Sequence, residues 1–213
     1  MKNIKLLITI ILTCFLPSLV SSQENNTIIN PKGKLYLGFE TGLNTITSFS
    51  LGEANQSMQV GLVADYYYKK HWSVVTRIKY FKTGVSFVRN DSPYTNTFEG
   101  AVLSIPVDFK WEFLISKKLK GDLKFGLAYN FETKSEYQFT ADESTDLKKS
   151  FLNINTGFGL TYYISDKMAV YIDLEGFSGG GAKASKKDSL ILSGCYYTTN
   201  TLLNFGIKYN LKK

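Results

Sequence analysis

Apolar and polar residues alternate over two neighbouring stretches of the chain, 151–163 and 168–177. In the first stretch Ile154 and its alternate neighbours form an apolar stripe, and Ile172 belongs to the same kind of stripe in the second. A short polar break, 165–167, separates the two stretches. Alternation with a period of two residues on both sides of a short break is typical of a β-hairpin.

The same alternation recurs along the rest of the chain. We predict eight strands, at about 34–43, 58–68, 72–87, 98–113, 123–131, 151–163, 168–177 and 201–211. The connections between them alternate between long and short. Transmembrane barrels have an even number of antiparallel strands, short turns at the periplasmic end and longer loops outside. The pattern therefore predicts an all-β fold, an eight-stranded antiparallel up-and-down transmembrane β-barrel.

One side of each predicted strand is apolar and the other side collects charged residues. A soluble sandwich would bury the apolar side in its core, whereas a membrane barrel places it in lipid and the charges in its lumen. An eight-stranded lumen is only wide enough to be filled by side chains, and buried charges are costly unless they are paired. We therefore expect a charged, plugged lumen. Its network is predicted to consist of Glu40, Asp65, Arg77, Lys79, Asp108, Lys110, Glu112, Lys124, Glu132, Asp173, Glu175 and Lys208.

Aromatic residues gather where the predicted strands meet the short turns. Trp and Tyr favour membrane interfaces, which indicates an aromatic girdle, although aromatics also have high β-propensity. The predicted girdle consists of Tyr66, Tyr68, Trp72, Trp111, Phe113, Tyr162 and Tyr209. Lysines that could meet anionic head groups are expected just beyond it, namely Lys69, Lys70, Lys117, Lys118, Lys120, Lys167, Lys212 and Lys213.

The first residues have the features of a secretory signal peptide. Lys2 and Lys5 precede an apolar run, and small residues precede Gln23. We expect a signal peptide at 1–22, a loose polar periplasmic leader at 23–33 and the barrel domain at 34–213. Removal of the signal would leave Cys195 as the only cysteine, so we expect no internal disulfide.

Side chains suited to catalysis are few. The single histidine, His71, falls in a predicted turn, and Cys and His are too few for a metal site. Asp173 and Glu175 could serve acid–base chemistry, but salt bridging in the lumen is the interpretation that we favour. We predict no enzyme activity, no catalytic or metal site and no cofactor.

Two further features concern a strand and the outer loops. Pro106 lacks an N–H in the middle of a predicted strand, so we expect a bulge or a break in the ladder there. The loops could bind lipopolysaccharide phosphates or a surface partner, or could simply be solvated. The candidates are Tyr94, Tyr137, Lys148, Lys149, Lys183, Lys186, Lys187, Tyr196 and Tyr197.

The signal peptide, the eight alternating strands and the segment Leu103-Ser104-Ile105-Pro106-Val107 resemble the PorT-like outer-membrane β-barrel family of Bacteroidota. The architecture is also similar to small OmpX-like barrels. The resemblance implies a location in a Gram-negative outer membrane and transfers no catalytic residue.

The function expected from these patterns is surface interaction or envelope integrity. Two alternatives stay open, a narrow channel or secretion-system-associated barrel and a soluble lipocalin-like binding barrel. We expect outer-membrane lipid and lipopolysaccharide as partners, a surface or periplasmic protein as a candidate partner, no nucleic acid, and a monomer. The formal net charge of +7 arises mostly from lysines near turns.

Overall fold

The computed structural model of the protein describes residues 29–48, 55–88, 95–138, 150–178 and 198–211. The expected signal peptide, Lys212, Lys213 and all the candidate loop residues except Tyr137 lie outside these ranges. Within the described residues there is no helix of the length and apolarity needed to cross a bilayer.

Eight strands form one closed antiparallel barrel, which confirms the predicted fold. Each strand pairs with its sequence neighbours, and β1 pairs with β8 from Tyr36–Asn210 to Ser48–Thr198. The strands are β1 Leu35–Ser48, β2 Asn55–Lys69, β3 Trp72–Val88, β4 Thr95–Leu114, β5 Leu119–Gln138, β6 Ser150–Tyr163, β7 Met168–Ser178 and β8 Thr198–Asn210.

The two ends of the barrel differ in their connections. At one end, two residues join β2 to β3, four join β4 to β5 and four join β6 to β7. We call this the short-turn end, and β1 begins and β8 ends there. Connections 49–54, 89–94, 139–149 and 179–197 join strands at the opposite, long-loop end.

Strand β5 differs most from its predicted bounds, 123–131. It begins at Leu119 because Lys120, Gly121 and Asp122, which are typical of turns, continue the ladder opposite Leu114, Phe113 and Glu112 of β4. It ends at Gln138, which pairs with Thr97, so the start of the predicted loop at 133–149 is strand.

The orientation of the side chains separates a membrane barrel from a lipocalin-like one. Leu127, Phe205 and Ile172 point outward with 49%, 48% and 38% of their surfaces exposed. Asp173 and Lys208 point inward and are 4% and 3% exposed. The apolar stripe is therefore outside and the charges are inside, which is the inverse of a soluble lipocalin-like barrel.

Pro106 interrupts one ladder and leaves the other intact. Between β3 and β4, Thr76 pairs with Val107 and Lys79 with Ser104, and the two intervening positions are unpaired without a change of register. On its other side Pro106 pairs with Ala128. The structure therefore shows the expected break and no bulge, because the missing N–H faces β3 alone.

Gly206 on β8 makes room for Tyr171 of β7. A Cβ at position 206 would lie 2.3 Å from Tyr171 Cζ and 2.5 Å from its hydroxyl oxygen. That hydroxyl donates a hydrogen bond of 2.7 Å to Glu40 Oε2 inside the barrel. Even one methyl group at Gly206 would therefore displace a buried ring and its hydrogen bond.

Gly206→Ala is expected to destabilise the barrel by about 1–3 kcal/mol through overpacking. Gly176→Ala is the matched control, because its Cβ would meet only Thr156 Oγ1 at an ordinary 3.8 Å. Guanidinium unfolding of both variants in detergent micelles measures the difference. Equal midpoints for the two variants would contradict this account of Gly206.

Candidate functional site in the barrel interior

The interior brings together most of the charged residues singled out in the sequence. Glu132 differs, because it pairs with Val102 beside a register shift toward the long-loop end and is only half-buried. The other eleven are buried, namely Glu40, Asp65, Arg77, Lys79, Asp108, Lys110, Glu112, Lys124, Asp173, Glu175 and Lys208.

Arg77 of β3 is the centre of the first ionic cluster. Its Nε lies 3.2 Å from Glu40 Oε2, and its Nη2 lies 3.1 Å from Asp173 Oδ2. Its Nη1 contacts Glu175 and lies 3.5 Å from Asp108 Oδ2. One guanidinium thus joins carboxylates from β1, β4 and β7, a task suited to its rigid fork of donors.

Two lysines complete this central cluster. Lys79 Nζ lies 2.8 Å from Glu40 Oε1 and also contacts Glu175. Lys124 Nζ contacts Asp173 and lies 3.4 Å from Glu175 Oε1. Four carboxylates therefore share three bases, and each base bridges at least two of them.

Neutral amides satisfy further oxygens of the same carboxylates. Asn155 donates to both carboxylate oxygens of Asp108 at 2.9 Å. Asn204 donates to Asp173 Oδ1 at 2.6 Å and to Glu175 Oε2 at 3.0 Å. These donors reduce the cost of burying four carboxylates against three bases.

A second ionic cluster lies nearer the short-turn end. Asp65 Oδ2 accepts from Lys110 Nζ at 2.5 Å and from Lys208 Nζ at 2.7 Å. Glu112 lies 3.0 Å from Lys110 Nζ and 3.3 Å from Lys120 Nζ. This cluster thus bridges β2, β4, β5 and β8.

Tyrosines close this cluster on its short-turn side. The Tyr67 hydroxyl contacts Glu112 and lies 3.0 Å from the Tyr163 hydroxyl. Tyr36 packs edge-to-face on both rings, at centroid separations of 5.8 Å and 6.2 Å. Lys208 Nζ lies 5.4 Å from the Tyr36 and Tyr67 ring centroids, within cation–π range.

Two charged members of the interior escaped the sequence analysis. Lys120 was predicted to lie beyond the girdle at head-group level, but it is buried beside Glu112 and over the Tyr163 ring. Asp122 is buried as well, and its Oδ1 has no hydrogen-bond partner among the described residues. In a strand that begins at Leu119, alternation with Lys124 places both side chains on the inward face.

A small cavity lies between the two ionic clusters. Asp65, Arg77, Asp122, Lys124 and Lys208 are among its lining residues. Its size suits a single water molecule, and its lining is polar enough to hold one. The interior is therefore nearly filled by side chains at this level.

Toward the long-loop end, the buried side chains that the structure describes are uncharged. Asn44, Gln59, Asn130, Asn153 and Asn200 are buried amides. Phe81, Val102, Ala128, Phe177 and Leu202 form a buried apolar cluster, which we call the apolar layer. Phe81 and Phe177 lie two residues beyond Lys79 and Glu175, so this layer covers the central cluster on its long-loop side.

The residues predicted to form a girdle occupy the outer surface near the short-turn end. Trp72 and Trp111 are cross-strand partners, and Trp111 packs against Phe113 at a centroid distance of 5.5 Å. Tyr162 is half-buried. The remaining members are exposed, namely Tyr66, Tyr68, Trp72, Trp111, Phe113 and Tyr209.

The side chains considered for catalysis have other contacts. His71 Nδ1 lies 2.9 Å from the backbone oxygen of Glu112 in the turn before β3. Asp173 and Glu175 bind Arg77, Lys124 and Asn204. Among the described residues, no three His, Cys, Asp or Glu side chains are grouped in a way that could hold a metal ion.

Arg77→Met should destabilise the barrel by about 3–5 kcal/mol, because it strands four buried carboxylates around two lysines. Lys69→Met, at an exposed position near the short-turn end, is the control and should change stability by less than about 0.5 kcal/mol. Guanidinium unfolding in micelles measures both. Adding Asp173→Asn to Arg77→Met should restore part of the loss, and equal stability of the two single variants would refute the role of Arg77.

Comparison with solved structures places this architecture among outer-membrane barrels. The outer membrane protein OprG from Pseudomonas aeruginosa matches with a TM-score of 0.61 at 12% identity, over 87% of this chain and 100% of that chain. Neisserial surface protein A matches with a TM-score of 0.54 at 11% identity, over 83% of this chain and 97% of that chain. At such identities the likeness shows the fold alone.

Comparison of sequences gives the family. No curated protein sequence matches this chain. Residues 19–177 match the family described as outer membrane protein beta-barrel domain, a region that includes strands β1 to β6 and nearly all of β7. The chain therefore belongs to the outer membrane protein beta-barrel domain family, and its place is the outer membrane.

Proposed function

We propose that the protein acts in surface interaction or envelope integrity, as a membrane-embedded barrel with a plugged lumen and without catalytic activity. The observation that carries this proposal is the occupancy of the interior. Among the side chains that the structure describes, thirteen charged ones, seven carboxylates and six bases, are buried inside the barrel. Each of the six bases lies within ion-pair distance of a carboxylate.

Three successive barriers oppose the passage of ions. Phe81, Phe177 and Leu202 of the apolar layer fill part of the lumen. The polar side chains paired beside them, such as Gln59 and Asn44, are neutral amides. Below it, the central cluster crosses the lumen with bonds from β3 to β1, β4 and β7. The tyrosines then occupy the short-turn end. A conducting path would have to break buried ion pairs, so a narrow channel is the less favoured alternative.

The exposed surface supports residence among lipids. Aliphatic side chains cover the middle of the barrel, and the predicted girdle surrounds the short-turn end. Lys69, Lys70, Lys117 and Lys167 are exposed just beyond that girdle, where phosphate head groups would lie. We propose outer-membrane lipid as the partner of this surface and a monomer as the working state.

The narrower family and the export route are part of the proposal. Leu103-Ser104-Ile105-Pro106-Val107 supports membership of the PorT-like or OmpX-like barrels of Gram-negative bacteria. The positive and apolar start of the chain supports export with cleavage after residue 22. Mass determination of the exported protein should then give Gln23 as its first residue, and a chain that retains Met1 would refute cleavage.

Planar-bilayer recording tests the plugged lumen. The full chain should give no discrete conductance steps, while a porin reconstituted alongside gives them. Steps whose ion selectivity changes with Asp65→Asn would assign conduction to this lumen and refute the proposal. Steps that Asp65→Asn leaves unchanged would refute it as well, unless a mock preparation that lacks the protein gives the same steps.

Loop replacement distinguishes the two proposed roles. Residues 139–149 and 179–197 are replaced by short Gly-Ser linkers, which change none of the described interior residues. If the role is surface interaction, binding of purified lipopolysaccharide is lost while detergent resistance of the cells is kept. If the role is envelope integrity, resistance depends on the barrel alone and persists with the linkers but not in a deletion strain. A deletion strain with neither defect would refute both roles.

A further inference from the structure

The short segment before β1 enters the mouth of the barrel. The sequence predicts a loose leader at 23–33, but its described part contacts the barrel. Ile29 is 7% exposed and Pro31 is buried, whereas Asn30 and Lys32 are exposed. The side chain of Ile29 is therefore shielded from water, although the predicted leader is mostly polar.

Ile29 lies against the tyrosines at the short-turn end. Ile29 forms one buried cluster with Tyr36, Tyr67, Tyr163 and Ala169. The other four members come from β1, β2, β6 and β7, so the cluster extends across the mouth. Burial of an isoleucine side chain in such a cluster is favourable because apolar surface leaves water.

The backbone after Ile29 is attached to the barrel rim. The backbone N–H of Gly33 donates a hydrogen bond of 2.6 Å to the backbone carbonyl oxygen of Tyr67. The backbone N–H of Tyr67 donates one of 3.1 Å to the backbone carbonyl oxygen of Lys34. Lys34 N–H donates 2.9 Å to the Pro31 oxygen, which closes a tight turn. Gly33 has a φ of 75°, a left-handed conformation that glycine adopts without steric cost.

The tyrosines stand between Ile29 and the second ionic cluster. On their inner side, the Tyr67 hydroxyl accepts from Lys110 Nζ at 2.7 Å and from Lys208 Nζ at 3.1 Å. Water that passed the tyrosines would reach Asp65 and Glu112 next, because Lys110 joins the Tyr67 hydroxyl to both carboxylates. Whatever covers the tyrosines therefore controls access to buried charges.

We propose that the short-turn mouth is a binding site for one branched aliphatic side chain, and that Ile29 of the same chain is its occupant. Residues 29–33 act as a stopper that keeps water out of the second ionic cluster. The stopper is separate from the barriers deeper in the lumen. Its removal should admit small reagents to the mouth without opening a path for ions, which the central cluster and the apolar layer still block.

Thiol accessibility tests the stopper in the full chain. Ala169→Cys places a thiol in the mouth cluster, in a background in which both natural cysteines, Cys14 and Cys195, are replaced by Ser. Lys167→Cys, at an exposed turn position two residues away, reports the intrinsic rate of a charged methanethiosulfonate reagent. Heat-modifiable gel migration establishes folding, and Thr161→Cys, a buried inward position deeper in the lumen, replaces Ala169→Cys if that variant does not fold.

Four leader variants give the outcome. Ile29→Asp should speed labelling in the mouth by about 10- to 100-fold, the factor that corresponds to the ordinary burial free energy of an isoleucine. Ile29→Ala should have a smaller effect and Ile29→Val almost none. Asn30→Asp adds the same charge on the exposed side and should change nothing.

Equal labelling rates for Ile29→Asp and Asn30→Asp would overturn the stopper. So would a thiol at position 169 that reacts, with the natural leader, as fast as the one at position 167. Conductance in planar bilayers is recorded for the same variants. Conduction by the natural chain would defeat the proposed plugged lumen and leave the stopper standing, whereas unprotected labelling without conduction would defeat the stopper alone.

Discussion

Lipid offers no hydrogen bonds, and this constraint shapes the molecule. Every backbone donor and acceptor at membrane depth must find a partner in the protein, which for a sheet requires closure without an edge. Pairing of β1 with β8 over thirteen positions supplies that closure. The same constraint sends charged side chains inward, where they can only be tolerated in pairs. Arg77 meets this demand by joining four carboxylates.

The interior is arranged in layers along the barrel axis. From the short-turn end these layers are Ile29 with the tyrosines, the Asp65–Lys110–Lys208 cluster, the Arg77 cluster, and the apolar layer with buried amides beside and beyond it. Ion pairs of this kind contribute little net stability compared with apolar packing, but breaking one is expensive. The network therefore joins distant strands across the interior, and it is the basis of the plugged lumen that we propose.

Alternation with a period of two residues was sufficient to predict most of this arrangement. It gave eight strands, their phase and eleven of the inward charges, because each strand has one face in lipid and the phase cannot slip without burying charge in lipid. The Pro106 break also followed from a local rule, the missing N–H. Lys120 and Asp122 were not predicted to face inward, because their segment resembles a turn. Pairing with β4 extends the ladder through them, and the local sequence does not show this pairing.

The leader was harder to predict for a different reason. Ile28 and Ile29 are only a short apolar pair in an otherwise mostly polar segment, and no periodicity marks them. The burial of Ile29 depends on a mouth built from four strands that lie far apart in the sequence. Glu132 is a similar case, because the register shift between Ala101 and Val102 decides how much of it is covered. The local sequence pattern predicts whether a side chain points inward or outward. How deeply it is buried, and what it contacts, depends on the assembled barrel.

The central claim is that apolar side chains face lipid while ionised ones face the bore. A cysteine placed in turn at positions 203, 204, 205, 207 and 208 of β8, and treated in bilayers with a lipid-soluble thiol reagent, tests it most directly. Labelling should alternate, fast at Leu203, Phe205 and Ile207 and slow at Asn204 and Lys208. Fast labelling at the second set, or no alternation along the strand, would contradict the account.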